Sequence, residues 1–128
     1  MDTSLVSYLL PSGILDHFDV VEVKELVDVE TKKNCLYIYL DEKNRLPSGY
    51  DSNEYESKGF YERTYIQDFP IRGKVVYLAI RRRRWRNKTN KLQEIKSDYS
   101  FIAEGSKLTV ELSDFLKGTG RDPRRYDK

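Results

Sequence analysis

Cysteine and histidine are almost missing from these 128 residues, with one of each, Cys35 and His17. A lone cysteine forms no internal disulfide and no cysteine-rich zinc knuckle. With a single histidine beside it, a transition-metal site lacks its usual ligands, so neither a metal nor another cofactor is expected. Also missing are a Gly-rich phosphate loop, a Cys/His pair and a serine set in a nucleophile elbow. No enzyme activity is therefore expected. The first twenty residues carry acids and no basic n-region, so a secretory signal is not expected. No apolar run approaches the ~18 residues of a membrane span. The expectation is a soluble, cytoplasmic protein with no membrane partner.

The length suffices for one ordinary domain with a real core. The charged fraction of 34% is high, but 12% aromatic residues argue against a disordered chain. A net charge of +2 does not mark a nucleic-acid binder. Its distribution does. Residues 1–60 hold 6 Lys/Arg against 12 Asp/Glu, and residues 61–128 hold 17 against 9. Between Asp68 and Glu94 there is no acid at all. Such one-sidedness suits a docking face, although halves that fold together can also neutralise each other.

The positive charge is densest at Arg81, Arg82, Arg83, Arg84 and Arg86, with Trp85 among them. The run follows Val75 to Ile80 with no turn residue between, so Lys74 to Arg86 reads as one long strand. Such a strand holds guanidinium groups in fixed positions against a polyanion. A period of two puts Val76, Leu78 and Ile80 on one face with Arg82, Arg84 and Arg86. Tyr77, Ala79, Arg81, Arg83 and Trp85 share the other. The second face could grip phosphates and stack a base or sugar on Trp85, the alternative being that Trp85 belongs to the core. With Arg72, Lys74, Lys88 and Lys91, these residues form the candidate DNA-binding set. The competing reading is a charged strand end whose arginines pair with acids of the first half and discourage edge-to-edge aggregation.

The rest of the chain supplies a frame. A helix is expected from Ser4 to Leu10, capped by Asp2 or Thr3 and stopped by Pro11. Ile14, Leu15 and Phe18 are apolar anchors. Val20 to Val23 begins a strand, while Lys24 to Val27 fits strand or helix. Lys32 to Asn34 reads as a turn into the strand Cys35 to Leu40, giving a β-hairpin. Asp41 to Gly59 reads as a long polar loop. Glu62 to Phe69 alternates as a strand, and Pro70 to Gly73 turns into the arginine strand. Asn87 to Asn90 turns again, toward a returning strand at 94–102. Ser106 is placed to cap a last helix with Leu108, Leu112, Phe115 and Leu116 on one face and Gly118 at its end. The fold class is α+β: a single domain, an antiparallel sheet with strands near 18–28, 35–41, 62–69, 74–86 and 94–102, and short helices at both ends. Residues 1–118 form the domain, and 119–128 a tail or linker.

Four segments in order, Leu9 to Phe18, Leu40 to Asn44, Ser57 to Tyr61 and Ile66 to Gly73, resemble the N-terminal region of bacterial insertion-sequence transposases of the zinc-ribbon, DDE-catalysed type. The continuation Val75 to Trp85 and then Ala103 to Gly105 fits the same pattern, so the resemblance spans roughly residues 8–118. It implies a region that precedes the catalytic domain and binds the element's terminal inverted repeats. Many such proteins carry cysteine pairs before and after these central strands. Here none stands near Glu62 or Asn87, so zinc is not implied. The catalytic domain of this family carries three carboxylates for two metals on a further fold of about 150 residues. It is expected on a separate chain or one joined downstream.

Two other clusters are weighed. Asp16 beside His17 invites an acid–base reading, but an acid next to a helix-end histidine is usually structural. Asp51, Glu54 and Glu56 could bind a cation, or form a solvated acidic loop. The alternative function is a protein-interaction or dimerisation module that docks a separate catalytic transposase chain, its arginines facing an acidic protein surface. A homodimer is compatible with either.

Overall fold

The computed structural model describes residues 8–95 and 108–118. Its elements are α1 (Ile14–His17), β1 (Phe18–Val27), β2 (Asn34–Glu42), β3 (Tyr55–Phe60), β4 (Thr64–Ile71), β5 (Lys74–Arg81), β6 (Arg83–Asn87), β7 (Glu94–Ile95) and α2 (Val110–Gly118). They make an α+β fold with two sheets, one ordered β1-β2-β5-β4 and a smaller one ordered β3-β6-β7.

The hairpin β1–β2 forms as the β-rich sequences predict. The ambiguous Lys24–Val27 is strand, because Lys24, Glu25, Leu26 and Val27 each face a β2 residue from Tyr37 to Asn34. Asp28 closes the turn: its Oδ1 accepts the amides of Glu30 and Thr31, and its own amide donates to the Lys33 carbonyl. This is the Asx chemistry that favours aspartate in turns.

The expected antiparallel pairing holds for β1 with β2 and for β4 with β5, but β2 and β5 run parallel from Cys35↔Val75 to Asp41↔Arg81. A parallel neighbour requires a long crossover, and residues 43–73 supply it, passing through the second sheet and β4. Period-two alternation shows which residues share a face but not which way the neighbouring strand runs.

The long loop is corrected as well. β2 extends to Glu42 and residues 55–60 form β3, paired with β6. The pairing slips between Ser57 and Phe60, where Gly59 has φ 81°, so the alternation that marks a strand is broken. β4 continues through Pro70 to Ile71, and the turn narrows to Arg72 and Gly73, both at positive φ.

The core lies on one face of the first sheet. Leu10, Ile14 and Phe18 pack there against Ile38, Leu40, Ile66, Val76, Leu78 and Ile80. α2 runs along β4, tied to it by a buried contact. The Thr109 hydroxyl donates to Asp68 Oδ1 at 2.8 Å and accepts the amide of Leu112 at 3.2 Å. Thr109 therefore caps the helix; Ser106, the cap expected from the sequence, lies outside the described residues. Leu108 precedes the helix in a bridge to Gln67. Burial raises the Asp68 carboxyl above its usual range, against the hydrogen bonds from Thr109 and the Phe69 amide. The expected helix at 4–10 falls partly outside the described residues, and strand positions 96–102 and the tail 119–128 fall wholly outside them. The described residues 8–10 are turn and bend.

Candidate nucleic-acid interface

The arginine strand is two strands. β5 ends at Arg81 in the first sheet and β6 begins at Arg83 in the second. Glu42 makes the break: its carboxylate accepts the Arg83 amide at 2.8 Å, and its carbonyl accepts Arg83 Nε at 3.1 Å. The Arg82 carbonyl accepts the Tyr61 amide at 2.7 Å. These contacts replace the β2 ladder and send the chain into its other sheet. Val76, Leu78 and Ile80 are buried as sorted, but a single two-face pattern does not continue beyond Arg82.

The guanidinium groups meet acids of their own chain. Arg81 makes a two-pronged pair with Asp41, at 3.1 and 2.6 Å, and Arg63 adds a third bond to that carboxylate at 2.9 Å. Burial opposes the Asp41 charge, but the bonds from Arg81 and Arg63 outweigh it and hold the carboxyl below its usual range. Arg83 donates to Ser57 and stacks on Phe60, and Arg81 stacks on the same ring. Arg84 pairs with Glu94 at 2.6 Å, Arg86 with Glu56 at 3.9 Å, and Lys74 with Glu25 at 3.4 Å. Asp41, Glu42, Glu56 and Glu25 all belong to the acidic first half, so the halves do meet charge to charge.

Trp85 is 5% exposed. Of the two roles open to it, its burial fits packing rather than base stacking, because little of the indole reaches solvent. Lys88 and Lys91 stand exposed after β6. Lys74 begins β5, about 23 Å from Arg81 along the strand at roughly 3.3 Å per residue, and Arg72 lies in the turn before it. The ten candidate residues thus divide: Arg81 to Arg86, Lys88 and Lys91 gather around the second sheet, while Arg72 and Lys74 stand apart.

Asp51 Oδ1 accepts the Asn53 amide, and Glu56 contacts Lys58 and Arg86. Asp16 and His17 are exposed on α1. Among the described residues no group of three or more His, Cys, Asp or Glu side chains is placed to hold a metal ion. No described helix is long and apolar enough to cross a membrane.

No family model, curated protein or solved structure matches this chain. Its own surface must carry the reading. Sequence reasoning overlooked one part of that surface, the outer face of the first sheet with Tyr37, Tyr39, Tyr65 and Tyr77. The signal was the two-residue spacing of Tyr37 and Tyr39 inside an otherwise apolar strand.

Proposed function

We propose that this chain is the non-catalytic, DNA-binding N-terminal region of an insertion-sequence transposase, working in the cytoplasm on the ends of its element. The observation that carries the reading is the basic second sheet, where Arg84 and Arg86 on β6 adjoin Lys88 and Lys91 in the following turn. The pairs Arg84–Glu94 and Arg86–Glu56 sit at the surface, with 40% and 25% of the arginine side chains exposed. Surface pairs of this kind are weak, so a phosphate can take over the guanidinium. The ordered resemblance of residues 8–118 to such transposases supplies the DNA target, the terminal inverted repeats. The catalytic domain acts in a separate or fused chain, and a homodimer would match a pair of element ends.

A second reading has its own support. The outer edge strand β1 exposes Val21, Val23, Leu26 and Val27, a surface suited to docking a protein such as the catalytic chain. Duplex binding separates the two. Titration against the element's terminal repeats, with scrambled duplex as control, is expected to show tighter binding to the repeats and steep weakening with salt. Equal, negligible binding to both duplexes would hand the case to protein docking.

A further inference from the structure

The first sheet has two faces, and only one carries the main core. On the other, the register sets Tyr37 of β2 beside Tyr77 of β5, and sets Tyr39 beside Ala79, which is followed by Tyr65 of β4. Tyr37 and Tyr77 stack, with centroids 5.3 Å apart and planes at 22°, and Tyr65 meets Tyr37 edge-on at 6.1 Å. Two cations lie over the remaining ring: Lys24 at 5.4 Å and Arg63 at 5.1 Å from the Tyr39 centroid. Tyr65 is 47% exposed on the sheet's edge strand. The two described helices lie elsewhere: α1 adds Ile14 to the core, and α2 runs along β4.

We infer that this tyrosine face is a binding surface for single-stranded DNA, separate from the basic second sheet. Unpaired bases offer π-faces to aromatic rings and to a guanidinium plane, in a manner tolerant of sequence. A duplex keeps those faces stacked inside its own helix. The cations fix the sign of the partner. Lys24 has only a 3.9 Å contact with Glu22 and is half exposed, so it is available to a phosphate. The nearby carboxylate of Asp41 is neutralised between Arg63 and Arg81. Because Arg63 is committed to Asp41 and to the Ala79 carbonyl, few phosphates are neutralised and stacking supplies most of the affinity. Binding here is therefore weakly salt-dependent, unlike binding at the second sheet. Tyr37 takes part as a neutral phenol, since burial, Cys35 and Tyr77 all raise it further above the physiological range.

The test is fluorescence anisotropy of a short labelled oligothymidylate with the full chain, run beside a labelled duplex across a salt series. Tyr65→Leu and Tyr77→Leu should each weaken oligothymidylate binding about tenfold, the loss of roughly one stacked base. Neither should alter duplex affinity, and the single-strand salt slope should stay shallow. Arg84→Ala with Lys88→Ala should do the reverse. Circular dichroism checks folding; if Tyr77→Leu disturbs the sheet, Tyr65→Leu at the edge decides alone. Native-like oligothymidylate binding by folded Tyr65→Leu would overturn the inference. So would failure of the native chain to bind the oligonucleotide, even with duplex binding intact, or tighter binding of oligouridylate than of oligothymidylate. Loss of duplex binding alone would sink the proposed function and leave this surface standing.

Discussion

The two sheets are held together by different physics. In the first, Leu40, Val76, Leu78 and Ile80 are buried almost completely, and Phe18 and Ile14 close over them. In the second, only Tyr55 and Trp85 are buried apolar side chains among the described strand residues, and ion pairs and side-chain hydrogen bonds surround them. The first sheet resembles an ordinary core, stabilised by area removed from water. The second presents charge to solvent and depends on a few anchors. Its cations stay near the surface, since desolvating an unpaired charge costs several kcal/mol. The division of labour follows: one sheet folds the domain and the other carries its basic surface.

Trp85→Ala tests the anchor most severely. Removing the indole should destabilise the protein by about 3–5 kcal/mol, read as a lower urea midpoint. A native midpoint with weakened DNA binding would instead move Trp85 to the interface. In the first sheet, Leu78→Ala should cost about 2–5 kcal/mol through the cavity it leaves, while the DNA affinity of the folded fraction stays native. A loss of affinity without a loss of stability would erase the distinction between the sheets.

Asp41 stands at the end of the first sheet next to the break in the arginine run, and Asp41→Asn should cost about 2 kcal/mol at neutral pH, because charge-assisted bonds from Arg63 and Arg81 are lost. The sign with pH follows from the lowered carboxyl. Its folded pKa lies below the unfolded value, so its stabilisation is present above about pH 4 and disappears as the pH falls through the folded value. Denaturation midpoints measured down an acid series should converge for the native and Asn forms. A gap that persists into strong acid would mean that Asp41 acts through packing.

The smallest effect on folding is expected at the solvent side of β6. Arg84→Ala with Arg86→Ala should leave the unfolding midpoint nearly native and lower the DNA salt slope by about one unit per lost contact. Arg81 and Arg83 are poorer probes, because their bonds to Asp41 and Glu42 make any substitution a test of folding too. An unchanged slope in the double variant would remove β6 from the interface.

Much of this was legible along the chain. The strand Cys35 to Leu40, the hairpin before it, the buried triplet Val76, Leu78 and Ile80, and the helix with Leu112 all announce themselves through local period and turn chemistry. β3 did not, because Tyr55 and Phe60 are separated by a bulge that destroys the alternation. The candidate site was half legible: the basic cluster is plain in the sequence, but its acids are not.

Sequence alone determined most of the strand-forming segments and the asymmetry of charge, because propensity and period are local properties. Only the tertiary structure decided that β2 and β5 run parallel, that Glu42 breaks the arginine strand in two, that Trp85 is buried and that four tyrosines share one face. Each of these depends on residues distant in the chain, Asp41 with Arg81 and Tyr37 with Tyr77 among them. Such pairings are chosen by the joint fit of whole strands, which a local pattern does not encode.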